Sequence, residues 1–558
     1  AFVTSGDVTN PLVSTAWADT AEGERNSGTT QETFTEVTDE TTLKKAVADG
    51  KSVRMTRDIT LTSSLHIEKA VTLDMDGHML TRMHMDEYDM VVIRSDATLT
   101  LIDSNTGNLQ HRFNAGETGW TKAADNATGD GIVTVTGGVI YGDAGSSIIN
   151  PCGIKILKGK LEMYGGSIVG IRNDYNANGG GVYVSDQCTF NMYGGSIKGC
   201  YVFSDGGGVY VAENGTFTMS GSSAITNCKG SRGGAVYNAG TFTMRDNSHI
   251  ADCIYISSIA GGGGVHNKGT FNVEGGSITG SVNDHNREQS SDDICIEGTL
   301  NAGITIACNV NVVDGGTISK GTFTGRVWIY SEGTILDGTF ANEVINYEGR
   351  IKAGEFTGKI ENSYGKIDGG TFRGSVTSSG YNAIISNGSF HGTVTNESGA
   401  TISGGTFYEN VTNKTNATLN GGIFYGGVTN DGGKIEDGAY ETVKFNSDNG
   451  AQAKEEKVLR GQKVAKPTDD PTKSGYTFIG WEDADGAYDF SKSVTAPLTL
   501  TAKWEKNPSS GGYYYYPTTD TKADDTKGSP KTADPGVALY AALSLLSLTG
   551  LTCTTKKR

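Results

Sequence analysis

Between residues 311 and 442 an aromatic side chain returns every 16 to 18 positions: Phe323, Phe340, Phe356, Phe372, Phe390, Phe407, Phe424 and Tyr440. Five residues ahead of each stands an aliphatic: Ile318, Ile335, Ile351, Ile367, Ile385, Ile402, Leu419 and Ile435. Four residues behind each Phe stands another: Val327, Val344, Ile360, Val376, Val394, Val411 and Val428. Asn346, Asn362, Asn396, Asn413 and Asn430 occupy the sixth position behind it. Even steps separate the aromatic from both later positions, which predicts that all three share one face of a strand. Length varies only between the Asn position and the next aliphatic, so a turn is expected there.

From about 131 to 310 the period is longer. Gly179-Gly180-Gly181-Val182-Tyr183 returns as Gly206-Gly207-Gly208-Val209-Tyr210, then as Gly233-Gly234-Ala235-Val236-Tyr237 and Gly262-Gly263-Gly264-Val265-His266. Phe190, Phe217, Phe242 and Phe271 follow at intervals of 27, 25 and 29, each with Met192, Met219, Met244 or Val273 two residues on. Ile168, Ile197, Ile225, Ile250 and Ile278 mark a third strand. Three short alternating strands with turns between them describe one coil of a parallel β-helix. One coil cannot bury its own inward face, but stacked coils pair about 4.8 Å apart and share a continuous core. Like residues then stack on like, Asn amides satisfy turn groups, and Gly takes the turn positions. The fold expected is all-β: a right-handed parallel β-helix over roughly 50–442, wide-runged before about 300 and narrow after it, at constant ladder residues. Handedness rests on the preference of parallel crossovers.

Cysteine follows the same period. Cys200, Cys228 and Cys253 each stand three residues after the rung's Ile, where Ile171 and Ser281 stand in flanking rungs. Small stacked interior residues are the reading; a disulfide between adjacent rungs is the alternative. Seven Cys precede Cys553, with no Cys-x-x-Cys and no spacing of a zinc site.

The ends of the solenoid need covers, because bare ends expose strand edges and core. Residues 42–50 read as a short amphipathic helix with Leu43, Ala46 and Val47 on one face and Gly50 as its stop. Alternating segments at 58–61 and 70–75 read as early rungs. Residues 1–38 are polar and Thr-rich and read as flexible.

Composition narrows the function classes. The 80 Gly follow no strict triplet and Pro numbers only 9, which excludes collagen and a Pro/Gly coil. A net charge of −17 with no basic run before the tail makes nucleic acid a poor partner. The sequence starts at Ala1 with no charged-then-apolar leader, so a secretion signal is expected to lie outside it.

Three segments carry resemblances. The Gly-Gly-Ala/Gly-Val-Tyr and Thr-Phe-x-Met pattern at 131–310 resembles the repeats of polymorphic-membrane-protein and adhesin-like bacterial β-helices. Residues 443–505 contain Gly461-Gln462-Lys463-Val464, then Tyr476-Thr477-Phe478-Ile479-Gly480-Trp481, Tyr488-Asp489-Phe490 and Leu498 through Trp504. This string resembles the Listeria–Bacteroides repeat, the B-repeat of internalin-type surface proteins. The resemblance implies a small β-grasp-like module used as a surface spacer or in adhesion. Phe478, Trp481, Phe490 and Trp504 are its expected core. A Ser/Gly/Tyr/Thr linker, 506–528, follows and holds Tyr513, Tyr514, Tyr515 and Tyr516.

Ser529-Pro530-Lys531-Thr532-Ala533 then precedes an apolar stretch running from Val537 to Cys553 and the basic end Lys556-Lys557-Arg558. This order resembles the sorting signal of Gram-positive surface proteins. It implies cleavage after Thr532 by a membrane-bound sortase and transfer to a peptidoglycan amine, with transient membrane contact through the apolar stretch. Ser529 and Ala533 depart from the family's usual Leu and Gly. An ordinary membrane anchor is the alternative.

Few groups along the chain suit enzyme chemistry. Asp74 and Asp76 share a strand face beside Gly77-His78, Asp292-Asp293 lie in a polar insertion, and Arg350-Ile351-Lys352 superficially resembles a pectinase triplet. Ile351 belongs to the aliphatic ladder, so Arg350 and Lys352 should point outward. A glycosidase needs two poised carboxylates, and no second motif accompanies any of these groups. The 8 His form no cluster, so no metal and no cofactor are expected. The expectation is a non-enzymatic surface protein in the cell wall, acting as adhesin or display stalk on a glycan or protein ligand. A surface polysaccharide lyase or hydrolase is the runner-up. The divisions are 1–38 flexible, 39–130 cap and first rungs, 131–310 wide rungs, 311–442 narrow rungs, 443–505 repeat module, 506–528 linker and 529–558 sorting signal.

Overall fold

The computed structural model describes residues 33–83, 89–105, 109–143, 152–174, 177–257, 261–283 and 293–508. Helix α1 (Glu40–Asp49) covers the N-terminal end of the solenoid. Asp39 caps it: its carboxylate accepts from the Thr42 N–H at 2.9 Å, and the Thr42 hydroxyl accepts from the Asp39 N–H at 3.3 Å. This reciprocal box starts the helix two residues before the expected 42. Gly50 ends it in the left-handed region at φ 78°. Leu43, Ala46 and Val47 are buried. The stretch expected to be flexible through 38 is corrected at its end. Thr35–Val37 already pairs in parallel with Val53–Met55, so 35–37 belong to the first rung.

Behind this cap the chain winds as a parallel β-helix. Among the described residues, parallel sheets of 24, 16, 8 and 5 strands run along it. A wide rung carries four strands rather than the expected three, as in Val182–Val184, Thr189–Met192, Ser196–Lys198 and Tyr201–Val202. The fourth has two residues, too few to show alternation in sequence. Cys200, Cys228 and Cys253 sit fully buried at the corner before it. Each thiol donates to the carbonyl two residues back, at 3.6, 3.4 and 3.3 Å. All seven described cysteines are free, so the disulfide alternative is not realised. Phe190, Phe217, Phe242 and Phe271 stack with ring centroids 4.8–4.9 Å apart.

The passage from wide to narrow rungs corrects the expectation of constant ladders. Phe271 pairs with Leu300, Leu300 with Ile318, and Ile318 with Ile335. The wide block's Phe column therefore continues as the narrow block's aliphatic column. The narrow Phe column begins instead at Ile306, which pairs with Phe323 beyond a register shift. The 8-stranded and 5-stranded sheets stop before this point, at Ser277–Thr279 and Val282–Asn283. Their loss is what shortens the rung. From Thr334 on, one sheet face is divided into two-residue strands by a glycine of positive φ, such as Gly338 at 139° and Gly354 at 126°.

The shared-strand expectation for Phe, Val and Asn is corrected too. Phe356 ends a two-residue strand, the chain turns a corner, and Ile360 and Asn362 lie on the next sheet. All three still point inward because the corner preserves the even step. Phe323 through Phe424 stack at 4.7–5.1 Å. Asn346 donates to Asn362 at 2.7 Å, Asn396 to Asn413 at 3.0 Å and Asn413 to Asn430 at 2.8 Å. Ser378 fills the missing step by accepting from Asn362 at 3.1 Å. Tyr440, read as the last ladder aromatic, departs. It opens the strand Tyr440–Asn446, which pairs antiparallel with Lys454–Leu459.

A second element escaped the sequence reading. Gln110–Gly116, Gly119–Lys122 and Ile132–Thr136 form a three-stranded antiparallel sheet, not early rungs. Its Phe113, Trp120 and Val135 pack on Met79, Val139, Tyr141 and Val169, covering one outer face of the helix. Trp120 lies so close to Gly199 that a Cβ there would come within 2.2 Å of the indole.

Candidate functional site

Among the described residues, those singled out for chemistry are not brought together. Asp74 is fully buried, paired to Arg54 Nε at 2.7 Å and accepting from the N–H groups of Asp76 at 3.1 Å and Ser104 at 2.9 Å. Asp76 sits in a turn at φ 45°, so the two aspartates do not share a strand face. His78 Nδ1 lies 3.5 Å from Asp58. Asp293 is buried and accepts from Ser281 N–H at 3.0 Å. Arg350 and Lys352 point outward, and Arg350 is ion-paired to Asp368. Asp292, Tyr513 to Tyr516 and all of Ser529, Pro530, Lys531, Thr532 and Ala533 lie outside the described residues, as does the apolar stretch from Val537. Among the described residues no helix is long and apolar enough to cross a membrane, and no group of three His, Cys, Asp or Glu could hold a metal ion.

The richest titratable cluster was missed in sequence because its members come from five rungs. Tyr183, Tyr210, Tyr237 and His266 stack face to face at 5.0, 5.1 and 5.2 Å. Arg232 grips Asp205 through two bonds of 3.0 and 2.7 Å and lies over the Tyr237 ring. Glu297 meets His266 Nε2 at 2.8 Å and Lys268 at 3.0 Å. The hydrogen bond to His266 leads in holding the Glu297 carboxyl down at about 2. Burial pushes the phenols of Tyr210 and Tyr237 up to about 12. A general acid or base works best with a pKa near the operating pH. These shifts run away from neutrality, and His266 and Tyr237 are buried. The arrangement fixes neighbouring rungs to each other.

The C-terminal module is seated directly on the last rungs. Its five-stranded sheet begins with Tyr440–Asn446, which runs parallel to Leu498–Lys506. Arg460 N–H donates to Ala439 O at 3.0 Å, and Phe424 N–H donates to Arg460 O at 2.7 Å. The Gln462 side-chain amide also donates to the Phe424 carbonyl. Phe424 of the final rung is thereby paired through both its N–H and its C=O, which covers that part of the C-terminal end. Val443, Phe445, Leu500 and Trp481 form the module's core. Phe478, Phe490 and Trp504, expected fully inside, are half-buried around Trp481, with Phe478 at 5.5 Å from it. Sequence reasoning placed the core too late because Val443 and Phe445 belong to a strand that begins at the solenoid's edge.

Residues 442–503 match the model of the Listeria-Bacteroides repeat domain. No curated protein and no solved structure matches the chain. The repeat and the β-helix fit a surface protein.

Proposed function

We propose that this chain is a non-enzymatic cell-surface protein, joined to the cell wall by a sortase and acting as an adhesin or display stalk. The seating of the surface-type repeat on the end of the solenoid carries this reading. With the N–H and C=O of Phe424 paired to Arg460 and Gln462, solenoid and module make one continuous rod. A rod of stacked rungs gains length without gaining a new core, which suits display at a distance from the wall. The order of motif, apolar stretch and basic end in 529–558 supports attachment at that end. Thr532 supplies the carbonyl that the sortase cysteine attacks, and Pro530 fixes the bend of the bound peptide. Peptidoglycan is the acceptor.

Thr532→Ala is expected to leave the protein in the membrane fraction with residues 533–558 attached. The unaltered protein is expected in the wall fraction, ending at Thr532. Mass spectrometry of muramidase-released material reads the difference. Unaltered protein found only in membranes, tail intact, would mark the tail as an ordinary anchor.

A further inference from the structure

Each narrow rung turns from its Val-x-Asn strand to the next aliphatic through the left-handed region. The residue there changes from rung to rung: Glu332 at φ 67°, Glu348 at 64°, Tyr364 at 58°, then Gly380 at 98° and Gly399 at 92°. Glycine is the default for this conformation, and a bulky residue held there is strained. Tyr364 keeps the conformation, and the next rung makes room for its ring. A Cβ on Gly380 would come within 2.6 Å of it. One rung later the arrangement repeats, with a Cβ on Gly399 falling within 2.7 Å of the Tyr381 ring. Two phenol rings are thus laid over glycine floors. Tyr364 is 42% exposed and Tyr381 83%.

Tyr330 and Tyr347 precede them along the same edge, both exposed, and Tyr347 meets Tyr364 edge-on at 5.7 Å. Tyr364 and Tyr381 line a groove of about 890 Å³ that also takes in Asp314, Glu332, Glu348 and Lys366. The groove follows the solenoid from the Asp314 rung to the Thr401 rung. At ~4.8 Å per rung that is on the order of 24 Å.

We infer that this groove binds a neutral oligosaccharide chain; the inference rests on the adhesin reading above and names its ligand class. Flat exposed rings with a polar tip suit the apolar faces of sugar rings beside their hydroxyls. The carboxylates accept hydrogen bonds from hydroxyl groups. Three carboxylates against one lysine disfavour an anionic glycan. A peptide adding as a strand would need free backbone donors, and those at this corner are taken. Gly315 N–H donates to Ser331 O at 3.1 Å, Glu348 N–H to Ser363 O at 3.0 Å and Tyr364 N–H to Ser379 O at 2.8 Å. The length of the groove suits a chain rather than a single sugar.

The test is calorimetric titration of the full chain with chitohexaose, cellohexaose and, as the anionic probe, hexagalacturonate. At least one neutral probe is expected to bind and the anionic one not. Tyr381→Ala is expected to weaken binding about ten-fold, the scale of truncating a central aromatic, while Tyr381→Phe keeps it. Tyr381 is exposed, so melting temperature is expected to stay unchanged and exclude misfolding. Equal affinity in the double variant Tyr364→Ala, Tyr381→Ala, preference for hexagalacturonate, or no binding of either neutral probe overturns the inference. Attachment of cells displaying the protein separates this from the adhesin reading. Attachment undiminished in the double variant overturns the groove alone, whereas no attachment by the unaltered protein overturns the adhesin reading.

Discussion

Phe390→Ala is expected to cost about 3–5 kcal/mol, the range for removing a fully buried Phe. The ring is 0% exposed and lies 4.7 Å from both Phe372 and Phe407. Its loss leaves a gap with aromatic faces above and below, and neither neighbour can close it without leaving its own rung. Stability in a solenoid is a sum of rung and nearest-neighbour terms, so the damage falls on the interfaces at 372 and 407. Lys352→Ala, on the outward face of the same sheet, is expected to stay within about 0.5 kcal/mol. Urea unfolding of the two variants measures the contrast. Equal shifts would show that the columns are not the core.

Asp103→Ala is expected to be the second most damaging change. The carboxylate accepts from the buried N–H groups of Gly77 and Gly138, both at 2.7 Å. Removing it orphans two donors at about 1–3 kcal/mol each, for a total on the order of 2–6 kcal/mol. Burial is the largest influence on this group and raises its pKa above 3.8. The protonated form is therefore favoured by folding. That contribution is complete below the unfolded value and is lost as pH rises through the raised one. Asp103→Asn cannot ionise, so the stability of the unaltered protein measured against this variant is expected to be more favourable at pH 3 than at pH 7. Indistinguishable stabilities of Asp103→Ala and the unaltered protein would place the two N–H groups elsewhere than on this carboxylate.

Much of the fold is legible in the sequence because a solenoid repeats its contacts at a fixed interval. Phe356 announces Phe372, and Cys200 announces Cys228, without any long-range inference. What repeats only once is not legible. The antiparallel sheet at 110–136 has no second copy, and Trp120 finds Gly199 only through the fold. The handover of columns at Leu300 and Ile306 hides behind a change of residue type, since Phe271 is followed by Leu300 and then Ile318. Two-residue strands such as Tyr201–Val202 are too short to show a period. The site follows the same division. Asp74 was visible as a carboxylate near glycines, but its bond to Arg54 lies 20 residues away, and that bond decides its role. The tyrosines at 330, 347, 364 and 381 are evenly spaced in sequence. Their significance comes from Gly380 and Gly399, which a linear reading treats as ordinary turn residues.

Polysaccharide lyases and hydrolases also use the parallel β-helix, so binding without cleavage is the outcome that the proposed function predicts and an enzyme would not give. The decisive measurement applies the full-length protein to a glycan array and follows reducing-end release from every glycan it retains. Retention with no release above the protein-free background is the expected result. Release of reducing ends that grows with time and with protein concentration would contradict it.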